Sequence, residues 1–329
     1  MARPITLFSN QWLDLPLDLL ASKVNEWGYG GLELSARNPH FNIQEAEEGG
    51  EYLDAIIALL AEYELSIPVV SFHQLSQVIG DPIDSRHQSL VSERIWGEGK
   101  PQHIRQRAIQ ELLVGFRFAK ELGASTISGF TGSPMWSAIT GYPGPTETQW
   151  VNALNEFAAT WNPILDHAKE IGVCYAFEIH PGQLAFDYYS AERLLDAIHG
   201  RPEFGFTIDP SHFLWQGLDP VAFIHRFADR IYHVHLKDTA ITLNGRSGLL
   251  NSGLPSGDPH RGWQFRCPGR GGVDWEAFIR ALNDIQYSGA MSVEFHDRGM
   301  DREFGAREAF QFAHRLNFPA PTTNVNKNS

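Results

Sequence analysis

Short apolar, β-rich runs alternate with helical stretches along almost the whole chain, and this alternation leaves few folds open. The strand-like runs are Ile5–Asn10, Gly31–Ala36, Ile67–His73, Ser125–Gly132, Cys174–Pro181, Phe204–Pro210, Ile231–Asp238 and Met291–Asp297. Between them apolar residues recur at helical spacing over Leu17–Trp27, Tyr52–Tyr63, Ile104–Leu122, Trp150–Ile171, Glu192–His199, Pro220–Phe227, Trp275–Ile285 and Arg307–Leu316. Strand-then-helix units in series imply parallel strands, because each helix carries the chain back to the starting edge. An open doubly wound sheet and a closed barrel both satisfy this. The open sheet usually carries a glycine-rich phosphate loop after its first strand. Here that segment is SNQWLDLPLDLL, without a glycine. The count of eight units and this absence predict an α/β fold of the (β/α)8 TIM barrel kind, one domain over residues 1–318, for which 329 residues is an ordinary length.

The punctuation agrees. Gly28, Gly123, Gly172 and Gly200 stand where helices give way to strands. Pro163 falls inside a helical pattern and is expected to kink or split it. The tail from Pro319 to Ser329 is rich in Pro, Thr and Asn and is expected to be disordered. Two connections are long, Gln74–Gln102 after the third strand and Thr239–Gly272 after the seventh. Both follow strands, which puts them at the mouth where barrels build active sites.

Composition excludes some classes of function. The net charge of −13 repels a phosphate backbone at long range, so nucleic acid is a disfavoured partner. The two cysteines, Cys174 and Cys267, form no CxxC pair and point to a reducing compartment. MARPITLFSN reads as a first strand rather than a signal peptide, and no window approaches the length of a membrane span. The expectation is a cytoplasmic protein with no membrane partner.

Four successive strands end in polar residues: Glu178 in CYAFEIHPG, Asp209 in FGFTIDPSHF, His235 in IYHVHLKD and Glu294 in MSVEFHD. Each follows an apolar run, so each is carried to the mouth by a buried strand. Taken singly, a strand-end carboxylate is as readily an acid held by a barrel lysine or arginine. Three carboxylates and an imidazole converging on one axis are costly without a cation, and a divalent metal removes that cost. Three oxygens and a nitrogen suit Mn2+, Co2+, Mg2+ or Zn2+, and spacing does not choose between them.

These strand ends, together with GYGGLEL in the second strand, DPSH, HVHLKD and PGRGGVDW before the last strand–helix unit, resemble the sugar isomerase and epimerase superfamily with xylose isomerase-like barrels. The resemblance runs over nearly the whole chain. Relatives similar to tagatose and psicose 3-epimerases bind one metal through a Glu, Asp, His, Glu set on strands five to eight. The resemblance therefore implies one divalent ion, Mn2+ first, on Glu178, Asp209, His235 and Glu294, with Glu178 and Glu294 also acting as the acid/base pair. The chemistry is coherent: a metal on the carbonyl stabilises the enediolate while one carboxylate removes a proton and the other returns it.

Histidines surround the expected site. His212 follows Asp209 by three, a spacing that in relatives brings it to a substrate oxygen, while His180 follows Glu178 by two and shares its side of the strand. His73 ends the third strand and is also expected at the substrate, whereas His233 and Glu33 are read as structural. Lys237, in phase with His235, either binds a substrate oxygen or neutralises carboxylates. Arg261 is the loop arginine expected to reach substrate, because the arginine that epimerase relatives place six residues after the metal histidine is here Ile241. Similarly, Leu184 stands where they have an acidic residue. Trp12, Phe130 and Trp136 are candidate walls of a sugar pocket.

The leading function is a metal-dependent isomerase or epimerase on a keto-sugar or related polyol. A lyase removing a β-leaving group from a keto-inositol or 3-keto-glycoside needs the same metal and the same proton abstraction. A three-zinc abasic-site endonuclease matches only loosely, through His73, His212, Asp258 and His260, and its strand-four histidine is missing from TISGFTG. A catalytically dead sugar-binding barrel would be expected to lose one glutamate. The expected partner is a small carbohydrate, with assembly into a homo- or hetero-oligomer through the barrel loops.

Overall fold

The strands close on themselves. The computed structural model describes residues 3–250 and 254–320. In it, β1 (Ile5–Phe8), β2 (Gly31–Ser35), β3 (Ser66–Ser71), β4 (Thr126–Gly129), β5 (Cys174–Glu178), β6 (Phe204–Ile208), β7 (Ile231–Leu236) and β10 (Met291–Val293) form a closed barrel in the order β1-β10-β7-β6-β5-β4-β3-β2. Every neighbouring pair is parallel. The fold is thus the (β/α)8 TIM barrel that the alternation predicts. Two further strands, β8 (Asp238–Ile241) and β9 (Trp263–Arg266), pair antiparallel outside the barrel.

The surrounding helices follow from their periodicity. Leu17, Leu20, Ala21, Val24 and Trp27 bury one face of helix Leu17–Trp27, and Gly28 ends it at φ +96°. At that φ a side chain is strained, and a Cβ would lie 2.7 Å from Phe310. Pro163 does not split its helix, which runs unbroken from Glu147 to Ile171. An interior proline costs about 3 kcal/mol. Trp161, Ile164 and Leu165 are buried around it, at roughly 1.5–3 kcal/mol each, so the packed face outweighs the lost bond.

The strands are shorter than the apolar runs at their C-terminal ends. His73, read as the end of the third strand, is the first residue of helix His73–Gly80. The connection after β3 is not an open loop, because it winds into that helix, a 3-10 helix over Ser85–Leu90 and a turn over Glu93–Trp96 before helix Pro101–Glu121. The connection after β7 forms the β8–β9 hairpin. The tail expected to be disordered lies, from residue 321 on, outside the described residues. Among the described residues no helix is long and apolar enough to cross a membrane.

Candidate metal centre

Four strand ends deliver the cluster. Glu178 is the last residue of β5, Asp209 follows β6, His235 lies in β7 opposite Ser292, and Glu294 follows β10. One donor atom from each of the four lies within 4.8 Å of the others, and all four side chains are buried. In barrel order the two glutamates sit on the outer strands of the four and flank Asp209 and His235.

DPSH explains how Asp209 is aimed. Asp209 is the N-cap of helix Pro210–Gln216, with proline at the first helical position. Its Oδ1 accepts from the Ser211 amide at 2.9 Å, which leaves Oδ2 for the cluster, 2.7 Å from Lys237 Nζ and 3.4 Å from His212 Nε2. Lys237 also donates to Glu294 Oε2 at 2.7 Å, so its ammonium sits among the carboxylates. His73 Nε2 stands 3.1 Å from Glu178 Oε2, and His296 Nε2 stands 2.9 Å from Glu294 Oε1.

His235 is held from behind. Its Nε2 lies 3.0 and 3.1 Å from the two oxygens of Glu33, while Nδ1 faces Glu294 Oε2 at 3.1 Å and Glu178 Oε1 at 3.5 Å. Glu33 is fully buried, 2.7 Å from His233 Nε2, and also accepts from the Ser71 hydroxyl. A carboxylate behind an imidazole fixes its ring and tautomer, the arrangement that orients metal-bound histidines.

The electrostatics follow from burial and neighbours. Burial alone would raise Glu178, Glu294 and Glu33, but hydrogen bonding and charge from facing side chains outweigh it and hold all three well below the ordinary range: His235 and His73 for Glu178, Lys237 and His235 for Glu294, His235 and His233 for Glu33. Asp209 goes the other way. Burial, offset in part by Lys237 and reinforced by Glu294 and Glu178, raises it to about 6. Burial lowers His180 and His212, whereas for His235 the Glu33 carboxylate overcomes burial and raises it.

Glu178 Oε1 and His235 Nδ1 are buried with no aligned hydrogen bond. Two orphaned donors beside two further carboxylates fit a divalent cation, which would take one atom from each of Glu178, Asp209, His235 and Glu294.

The cluster floors a cavity of about 240 Å3 lined by His73, Glu178, His180, His212, Lys237 and Glu294, with Phe8, Asn10, Gln74, Phe130, Phe265 and His296. Five of the six histidine and lysine positions at and around the cluster singled out in the sequence, His73, His180, His212, His235 and Lys237, therefore meet here, while His233 lies below with Glu33. Arg261 does not line this cavity: its guanidinium stacks 4.4 Å over Trp263, whose ring lies flat on Trp215 at 4.7 Å. The hairpin instead presents Phe265, whose ring lies 4.8 Å from Lys237 Nζ and 5.5 Å from His212. Of the candidate walls only Phe130 lines the cavity; Trp12 is buried against Trp27, and Trp136 packs on Phe186. Asp258 and His260 pair with each other on the hairpin, where His260 is 80% exposed.

Sequence reasoning missed Phe8, Asn10, Gln74, Phe265 and His296. Two had a signal, since His296 follows Glu294 by two and Asn10 follows Phe8 by two, the strand alternation already applied to His180. Phe265 had none, because the β8–β9 register that places it is set by pairing across a long loop.

Comparison with known proteins places the chain. Residues 21–316 match the family model described as xylose isomerase-like TIM barrel. The chain is 31% identical over 157 residues to the uncharacterized protein YfiH of Bacillus subtilis, covering 46% of this chain and 49% of that protein. It is 30% identical over 131 residues to the inosose dehydratase of Geobacillus kaustophilus, covering 38% and 40%. The chain thus spans less than half the length of these curated relatives. Two solved structures share the fold: the 3-keto-D-glucoside 4-epimerase YcjR of E. coli, with a TM-score of 0.67, 14% identity and coverage of 95% and 99%, and the IOLI protein with a binding zinc atom, with a TM-score of 0.63, 16% identity and coverage of 95% and 96%. The match over most of its length, on a closed barrel, makes the chain a member of the xylose isomerase-like TIM barrel family.

Proposed function

We propose that this protein is a metal-dependent enzyme that enolises a keto-sugar or related polyol and completes an epimerisation or isomerisation. The observation that carries the reading is the placement of Glu178 and Glu294 on either side of Asp209 and His235, at the floor of a cavity lined by imidazoles. A divalent cation held there, with Mn2+ the first candidate, supplies positive charge to a carbonyl oxygen and its neighbouring hydroxyl as negative charge develops. Glu178 takes the proton from the carbon beside the carbonyl, and Glu294 delivers one from the opposite side. His73 stands against Glu178 Oε2 and leaves Oε1 without a hydrogen bond, while His296 holds Glu294 Oε1 and Lys237 shares Oε2. His212, His180 and Lys237 orient hydroxyls, and Phe265 excludes water above them.

Elimination is the second reading, favoured by the likeness to inosose dehydratases. It shares the first proton abstraction and differs in expelling a β-oxygen instead of reprotonating carbon. One experiment tests both. The Mn2+-loaded protein is incubated in D2O with ketoses, inosose and 3-keto-glycosides and followed by NMR. Deuterium at the carbon beside the carbonyl with inversion or isomerisation supports the first reading, and deuterium uptake with loss of a leaving group promotes the second. Full retention of the substrate hydrogen, with near-normal activity in Glu178→Gln and Glu294→Gln, overturns both.

A further inference from the structure

Beside the metal cavity lies a second chamber that the chemistry above does not use. This outer chamber, about 330 Å3, shares His73, Gln74 and Phe130 with the inner one. Its remaining wall comes from Gln77, Asp81, Arg86, His87 and Leu90, all on the segment that winds between β3 and helix Pro101–Glu121. That segment is the long connection for which enolisation finds no task.

The chamber is built before any ligand arrives. Asp81 Oδ1 accepts from the Ser133 amide at 2.7 Å, and its Oδ2 accepts from Gln77 Nε2 at 2.7 Å and faces His87 Nε2 at 3.0 Å. Gln77 Oε1 accepts in turn from Gln183 Nε2 at 2.5 Å, and Gln183 Oε1 holds the Thr131 and Gly132 amides after β4. The polar floor is therefore braced to the loops of β4 and β5. Above it lie two apolar surfaces, Leu90 and the ring of Phe130. Phe130 is locked between His73 at 4.8 Å and His180 at 5.1 Å and forms the step between the chambers. A braced polar rim opposite an aromatic face suits a sugar ring, which presents hydroxyls at its edge and C–H groups on its face. Volume points the same way. The inner chamber alone falls below the roughly 300–1,000 Å3 usual for ligand clefts, whereas the pair lies within that range.

We infer that the substrate carries a second ring on a glycosidic oxygen: the keto ring reacts in the inner chamber while the second ring lies in the outer one, between Leu90 and Phe130 and over the Gln77–Asp81–His87 rim. The inference rests on the enolisation reading and names its substrate class. Binding energy from the second ring holds the reacting ring in place, so a substrate lacking it loses turnover as well as affinity.

The test compares compounds that share one reacting ring. The Mn2+-loaded full chain is given 3-keto-glucose or the 3-keto derivatives of trehalose and cellobiose, one α-linked and one β-linked, and deuterium uptake beside the carbonyl is timed by NMR. At least one two-ring compound is expected to exceed 3-keto-glucose in kcat/KM by roughly 10- to 100-fold. Leu90→Trp, which fills the outer chamber, is expected to bring that ratio close to one. A ratio near one in the unaltered protein overturns the inference while enolisation stands. So does a ratio that Leu90→Trp, shown folded by its melting curve, leaves unchanged. Exchange of none of the three compounds also overturns the inference, and the enolisation reading is then decided separately by the ketose and inosose arms of the earlier experiment. The ratio in the unaltered protein decides the matter even if the variant fails to fold.

Discussion

Asp209 divides its two oxygens between structure and chemistry. Oδ1 caps a helix and Oδ2 enters the cluster, so Asp209→Asn keeps the cap and loses the charge. Metal content by elemental analysis should fall while the circular dichroism spectrum stays unchanged. Acidity carries the same argument. Burial chiefly raises Asp209 to about 6, and a bound cation requires the carboxylate. Metal affinity should therefore drop by about an additional tenfold per pH unit below 6, measured by titration at fixed ionic strength. The sign for the metal-free protein is opposite. A raised acid contributes stability that is full below its ordinary pKa and is lost as pH rises through about 6. Glu178→Gln and Glu294→Gln keep shape and remove a base, so deuterium exchange should fall by ~10²–10⁴ in each, read on variants first shown to retain metal.

At the scale of elements, PGRGGVDW is a cradle for one carboxylate. Asp238, fully buried at the start of β8, accepts from the Gly269 and Gly271 amides at 3.0 Å, the Val273 amide at 3.1 Å and the Trp275 indole at 2.8 Å. Gly271 leaves room for this, since a Cβ there would sit 2.2 Å from Asp238 Oδ1. Asp238 begins the strand whose partner carries Phe265 over the site, so the cradle also sets the roof. Gly271→Ala is expected to cost about 1–3 kcal/mol through overpacking, read by chemical denaturation. Asp238→Ala, which orphans several buried N–H groups, should cost more. The unbroken helix around Pro163 belongs to the same scale: local propensity argued for a break, and the buried face around Trp161 decided otherwise.

Across the whole molecule, three buried carboxylates at one mouth predict a stability that depends on metal. A ligand bound only by the folded state at about 100 times its Kd adds about 2.7 kcal/mol. For a domain of this size each kcal/mol moves Tm by roughly 1.5 °C. Removing metal with a chelator should therefore lower Tm by about 4 °C and leave the far-ultraviolet spectrum of the folded barrel intact, and restoring Mn2+ should reverse it. A Tm indifferent to metal would sever the link between the cluster and a cation. The net charge of −13 is compatible with a small carbohydrate and works against a nucleic-acid backbone.

The alternation of apolar runs and helical periods is a one-dimensional signal, and it determined the barrel, its strand number and the strand ends at which Glu178, Asp209, His235 and Glu294 emerge. Those residues were legible because a buried strand can carry its polar terminus only to the mouth. The strand limits were less so: apolar character continues past the last ladder hydrogen bond, and His73 passes from strand to helix without a change in pattern. Side-chain partners depend on pairs far apart in sequence. Only the closed barrel brings Glu33 behind His235, 202 residues away, and gives Lys237 to two carboxylates. Only the β8–β9 pairing replaces the expected Arg261 with Phe265 above the site. Those choices belong to the tertiary structure, because register and closure, not composition, decide which distant side chains share a buried volume.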